Sequence, residues 1–231
     1  MPLHSIQRLS PTAVLGLWHL TERPAELWQL LPQSQVYQAL VPTTVDVTRQ
    51  AQWLAGRALT HILVAEMLAA SPPDLLVRND GTGRPWLTGT GHGLTMSLSH
   101  SGAWAAAVVA RGGRTGVDVE MIRDKAQRLA SKFLAPAEWE AAQRVAPASS
   151  GSEAASTHYT LLWSAKETLY KLAAQRGIIF RQQLMLDDFG PQQSGEIPAT
   201  LVLGTNETRH RICYYQPAPG YVLTYCHEPA V

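Results

Sequence analysis

Charge is sparse in this chain. Charged residues make up 16% of 231 positions, and they nearly cancel to a net charge of +1. A protein held to nucleic acid mainly through phosphates needs a basic stripe, and so balanced a chain argues against that class of partner. Cysteine is almost missing, with only Cys213 and Cys226, close together near the C-terminal end. A disulfide between them is geometrically possible, but two cysteines in a chain this long suit a reducing compartment better. Long apolar runs are missing too. The longest, Ala103 to Ala110, is far too short to span a bilayer, and residues 1–10 lack the charged start and apolar run of a secretory signal. The expectation is a soluble, cytoplasmic protein with neither nucleic acid nor membrane as partner. Its length allows one large domain or two small ones.

What the chain does have is an acidic strand followed, some way on, by a helix bearing a third carboxylate and a lysine. The strand reads Gly116-Val117-Asp118-Val119-Glu120. Strand side chains alternate, so Asp118 and Glu120 share one face while Val117 and Val119 turn to the core. The helix reads Trp163-Ser164-Ala165-Lys166-Glu167-Thr168-Leu169-Tyr170-Lys171-Leu172. Positions four apart share a helix face, which puts Glu167 and Lys171 together, away from the apolar stripe Ala165, Leu169 and Leu172. Two carboxylates about 7 Å apart on one strand face repel unless a cation lies between them. With Glu167 added, the donor set is all oxygen and suits Mg²⁺, which leaves places for phosphate oxygens. Lys171 is then placed to neutralise phosphate charge.

Around these motifs the pattern predicts a strand at Ala13–Leu20, a short helix at Pro24–Leu31 and a long amphipathic helix at Thr48–Ala70. Strands follow at Leu75–Arg78, Leu94–Leu98 and Trp104–Ala110, the last so rich in alanine and valine that both its faces are expected to be covered. Helices at Lys125–Leu134 and Pro136–Val145 precede a mobile loop, Pro147–Thr157. After the Trp163–Ala174 helix come short strands near Leu184–Leu186, Ala199–Leu203, Arg211–Tyr215 and Tyr221–Cys226. Helices beside mostly antiparallel strands make the class α+β. Trp53-Leu54-Ala55-Gly56-Arg57-Ala58-Leu59 aligns with Trp163 to Leu169 at Trp, Ala and Leu, a hint of duplication that would give halves 1–112 and 113–231 with a cleft between them.

Taken together, these stretches resemble the 4′-phosphopantetheinyl transferases. The acidic strand followed by Trp163-Ser164-x-Lys166-Glu167-x-x-x-Lys171 is similar to that family's paired motifs. Ser97-Leu98-Ser99-His100-Ser101-Gly102-x-Trp104 resembles its Ser-His-Ser motif, and Gly83-Arg84-Pro85-Trp86 its Gly-Lys-Pro turn. Lys132-Phe133-Leu134 with Glu138 resembles the helix between the main motifs. The likeness is specific over residues 81–172. Length and the Asp-x-Glu pattern are similar to the long, surfactin-synthetase-activating type, a monomer of two pseudosymmetric α+β halves. The resemblance implies transfer of phosphopantetheine from coenzyme A to a serine hydroxyl of an acyl or peptidyl carrier protein, releasing adenosine 3′,5′-bisphosphate.

It also implies roles. Asp118, Glu120 and Glu167 would hold Mg²⁺. Glu167 would orient or deprotonate the carrier serine, and Lys171 would hold phosphates or protonate the leaving group, so that Asp118, Glu167 and Lys171 form the catalytic set. Ser99, His100, Arg84 and Lys166 would contact coenzyme A, with Arg49 and Arg57 as ligands of its 3′-phosphate. The chain departs from its relatives at Gln33 to Gln38, where they place basic residues, and at Ser97, where they often carry asparagine. Arg123, Lys125, Arg128 and Lys132 form a local basic cluster suited to steering an acidic carrier protein. A non-catalytic coenzyme A or carrier-protein binder and a Mg²⁺-dependent nuclease are the competing readings.

Overall fold

The computed structural model describes residues 3–42, 45–89, 93–147 and 152–230. Its elements run β1 (Leu3–Ser10), β2 (Ala13–His19), α1 (Pro24–Leu30), α2 (Ser34–Gln38) and α3 (Val47–Leu68). Then come β3 (Leu76–Asn79), β4 (Pro85–Thr88), β5 (Leu94–Ser101), β6 (Trp104–Arg111) and β7 (Arg114–Met121). The chain continues through α4 (Asp124–Phe133), α5 (Pro136–Val145), α6 (Glu153–Ala173) and α7 (Phe180–Gln183). It finishes with β8 (Leu184–Leu186), β9 (Ser194–Leu203), β10 (Asn206–Tyr215) and β11 (Tyr221–Glu228). The fold is α+β, with small antiparallel sheets and packed helices.

The chain divides into two compact units, one up to Thr115 joined by the residues from His227 onward, the other Gly116–Cys226. In the first, four strands lie in the order β1-β2-β6-β5. Trp104 to Ala110 of β6 are all buried, and α3 packs on β2, β5 and β6. Gly16 on β2 is what lets α3 approach, because a Cβ there would sit 2.8 Å from Leu59 Cδ1 and Leu63 Cδ2. β3 and β4 form a separate two-stranded ribbon in which Asn79 faces Pro85.

In the second unit five strands lie in the order β7-β11-β10-β9-β8. Tyr159, Leu161, Ala165, Leu169 and Leu172 of α6 are buried in a core shared with Ile197, Ala199, Ile212 and Val222 of the sheet. Gly116 on β7 admits α6, since a Cβ there would collide with the Thr168 carbonyl oxygen. The two cysteines are free thiols, Cys226 buried on β11 and Cys213 half-buried on β10.

Several expectations needed correction. The helix expected from Trp163 begins ten residues earlier, at Glu153, with Ser152 Oγ accepting from Ala155 N–H at 3.1 Å as its N-cap. The expected mobile loop is therefore helical from Glu153, and its residues 148–151 lie outside the described residues. β1 and β4 were not expected at all. β1 is half-exposed along most of its length, without the clean alternation that marks a strand, and β4 opens on Pro85.

Candidate active site

β7 and α6 build the acidic cluster. On β7, Val117 and Val119 are fully buried, as alternation requires, and Asp118 is itself only 3% exposed. A chain of hydroxyls holds α6 against the sheet. Thr168 Oγ1 and Ser164 Oγ lie 2.6 and 2.9 Å from Thr224 Oγ1, which donates to the Ser164 carbonyl at 2.9 Å. With Gly116 beneath Thr168, this contact brings the carboxylate-bearing face of α6 beside β7.

There Lys171 Nζ donates to Asp118 Oδ1 at 2.7 Å and to the Val117 carbonyl at 2.9 Å. Glu120 Oε1 accepts from Trp163 Nε1 at 3.2 Å. The Glu167 carboxyl is raised to about 7, chiefly by burial and in part by the charges of Asp118 and Glu120, with Lys171 opposing the rise. Three carboxyls and one ammonium thus share a partly dry site. Asp118, Glu120, Glu167 and Lys171 lie within electrostatic reach of one another, and the ion pair formed by Lys171 runs to Asp118 on the strand. The donor set is oxygen only and its carboxyls repel one another, which is the chemistry a hard divalent cation satisfies.

Lys166 is a correction. Its side chain is fully buried, and its ammonium donates to Glu138 Oε2 at 2.6 Å and to the carbonyls of Phe133 at 3.0 Å and Phe180 at 3.2 Å. With its three protons committed, it cannot serve as the coenzyme A contact the resemblance implied. Burial lowers its pKa while the Glu138 carboxylate raises it. Glu138 is the residue whose importance sequence reasoning did not draw out. Its carboxylate also accepts from Ala135 N–H and Leu186 N–H, both at 2.7 Å. The sequence marked it as part of the motif that follows Lys132-Phe133-Leu134, and its place three residues into a helix that opens on proline, where an acid caps the first turn, was a second signal.

Arg57 is a second correction. It is 4% exposed, its guanidinium 3.4 Å from the centroid of the Trp53 ring, with Nη2 donating to Asn79 Oδ1 at 2.5 Å and Nη1 to the Trp53 carbonyl at 3.2 Å. Desolvation lowers its pKa to about 9. A guanidinium covered this fully is not presented to a phosphate. It instead braces the ribbon turn, because Asn79 Nδ2 in turn donates to the Gly83 carbonyl at 2.7 Å. That turn carries Arg84, whose N–H donates to Asp80 Oδ1 at 3.1 Å. Arg49 is exposed in the first turn of α3, its N–H donating to the capping Asp46 at 2.8 Å. Ser99 and His100 are half-buried on β5, opposite Ala106 and Ala105 of β6.

Residues 114–226, which hold both β7 and α6, match the family model of the 4′-phosphopantetheinyl transferase superfamily. These residues form a domain of that superfamily. The chain is accordingly a transferase of phosphopantetheine. A search of curated proteins gave no match. The superfamily generally uses coenzyme A and Mg²⁺ and acts on carrier proteins, and the oxygen donors on β7 and α6 suit such a cation. No helix among the described residues is long and apolar enough to cross a membrane.

Proposed function

We propose that this chain moves the 4′-phosphopantetheine of coenzyme A onto a serine hydroxyl of an acyl or peptidyl carrier protein, with Mg²⁺ held by Asp118, Glu120 and Glu167. The observation that carries the reading is the acidic cluster, in which the carboxyls of Asp118, Glu120 and Glu167 act on one another beside an ammonium already in place. When bound, the cation would offset pyrophosphate charge and charge developing on the leaving group. The protein's own groups divide the remaining work. Glu167 is the carboxylate suited to orient the serine and take the proton from its Oγ. As that oxygen bonds to the phosphorus bearing pantetheine, the bond from this phosphorus to the oxygen of adenosine 3′,5′-bisphosphate breaks. Lys171 is suited to meet the charge left on that oxygen once phosphate competes with Asp118 for its ammonium.

Arg84, Ser99, His100 and Arg49 are proposed to hold coenzyme A from the N-terminal unit, and the C-terminal unit is proposed to supply metal and catalytic groups. The basic residues of α4 and its start are proposed to receive the carrier protein. Arg123, Lys125, Arg128 and Lys132 are all exposed, which suits long-range steering of an acidic partner. A working monomer in the cytoplasm completes the reading. Incubation with coenzyme A, Mg²⁺ and an apo carrier protein, followed by intact mass, tests it: the carrier should gain one phosphopantetheine, and no gain would reduce the chain to a binder.

A further inference from the structure

The buried Lys166–Glu138 pair sits one residue from Glu167, yet faces away from the carboxylates. Successive residues leave a helix about 100° apart. Taking Lys166 as zero, Glu167 and Lys171 lie at about 100° and 140°, and Ser164 and Thr168 at about 160° and 200°. The last two make the hydroxyl contacts to Thr224 on β11. On nearly the opposite edge, Lys166 reaches the Phe133 carbonyl at the end of α4, the Phe180 carbonyl in α7, and Glu138 in α5. Glu138 carries the tie onward to Leu186 N–H on β8. Glu167 and Lys171 emerge between the two anchored edges.

We propose that the Lys166–Glu138 pair fixes the rotation of α6 about its own axis and so sets Glu167 and Lys171 against Asp118. The pair is a positioning device for the carboxylate cluster. The hydroxyl edge and the apolar stripe of α6 hold it on the sheet side, while the pair adds directional bonds on the opposite edge that resist a small roll. A roll of about 10° carries a carboxylate, roughly 7 Å from the axis, through about 1 Å, a displacement that can cost on the order of a hundredfold in rate. Stability by itself does not call for these charges. Replacing both partners of a buried pair by uncharged groups is often neutral, while removing one leaves the other stranded. This inference rests on the reading of the cluster as a divalent-cation site.

The test uses the full chain and Mn²⁺ as a paramagnetic probe. Affinity is read by electron paramagnetic resonance and thermal midpoint on the same samples. Glu138→Gln should lower the midpoint and weaken Mn²⁺. The double variant Lys166→Met/Glu138→Gln should recover most of the midpoint but still bind Mn²⁺ about tenfold more weakly than wild type, the scale typical of partners that orient metal ligands. A double variant with wild-type affinity overturns the inference. Should the double variant fail to fold, Glu138→Asp keeps the charge on a shorter arm and is expected to weaken Mn²⁺ by a similar factor. Wild-type affinity there would overturn the inference equally. Asp118→Asn separates the two ideas. Mn²⁺ binding lost in Asp118→Asn but intact in the pair variants defeats the positioning role alone. No specific Mn²⁺ binding by wild type defeats the cation site, and the inference with it.

Discussion

The two units place one long helix on an antiparallel sheet in similar ways and put it to different use. α3 has 22 residues and α6 has 21, each is capped at its start by a side-chain oxygen, of Asp46 or Ser152, and each ends on an alanine in the left-handed region, Ala69 or Ala174. Each comes close to its sheet over a single glycine, Gly16 or Gly116. The polar content of the helices then diverges. In α3, the tryptophan and the residue four further on are Trp53 and Arg57, which close on each other and on Asn79. His61 pairs through Nε2 with the Tyr37 hydroxyl. In α6 the same spacing gives Trp163 and Glu167, and Trp163 bonds to Glu120 while Glu167 keeps its carboxyl among other charges. The difference shows a helix-on-sheet unit using its buried polar groups either as internal fastenings or as a tuned site.

The sharpest way to break the comparison is to remove the groups that make α6 different. Asp118→Ala or Glu167→Ala should lower the turnover number for transfer on the order of a thousandfold. The thermal midpoint should shift by only a few degrees, because relief of the repulsion among the carboxylates compensates for the packing and hydrogen bonding that each side chain supplied. Transfer near the wild-type rate, measured by intact mass of the carrier protein, would return α6 to the status of α3.

The fastening in α3 should show as pH dependence. Burial lowers the His61 pKa to about 4. Tyr37 Oη accepts from Val77 N–H at 2.8 Å and lies 2.8 Å from His61 Nε2, in a site too dry to welcome a charged imidazole. The folded value is depressed, so this stability is present above the unfolded pKa near 6.5. It is lost as pH falls through about 4, a change of roughly 3 kcal/mol. Thermal midpoints measured between those two pH values should fall less steeply for His61→Gln, and parallel curves for both proteins would show that His61 is not the group responsible.

The glycines sharpen the comparison at smaller scale. Gly116→Ala drives a methyl group against a backbone carbonyl and should cost roughly 3 kcal/mol, while Gly16→Ala meets leucine side-chain ends that can turn aside and should cost about 1 kcal/mol. Chemical denaturation of both variants gives the order, and the reverse order would mean that α6 yields more easily than α3. The smallest effect belongs to the surface. Arg128→Glu with Lys132→Glu should reduce the ratio of turnover number to Michaelis constant for an acidic carrier protein about tenfold at low salt, with little change at high salt, since exposed charges are screened within about 8 Å at physiological ionic strength. Salt-series curves identical to wild type would leave the exposed face of α4 without a steering role.

Much of the architecture follows from pattern. The apolar stripes of α3 and α6, the alternation of β7 and the alanine-valine run of β6 each have a single burial solution, so helix, strand and inward face could be read together. β1 could not be read this way, because a half-exposed strand needs no alternation and takes its definition from its pairing with β2. The same limit governs the site. Local spacing determined that Asp118 and Glu120 share a face and that Glu167 and Lys171 share another, since the periods of strand and helix are fixed by backbone geometry. Spacing set Lys171 beside Glu167 but left open what Lys166, five residues earlier in the same helix, would contact. Tertiary structure decided between them by bringing Glu138, the Phe133 carbonyl and the Phe180 carbonyl around Lys166 and leaving Lys171 to Asp118. It likewise folded Arg57 onto Trp53 and Asn79. A charge becomes a fastening or a ligand-facing group according to which acceptors surround it, and here those acceptors come from elements distant in the chain.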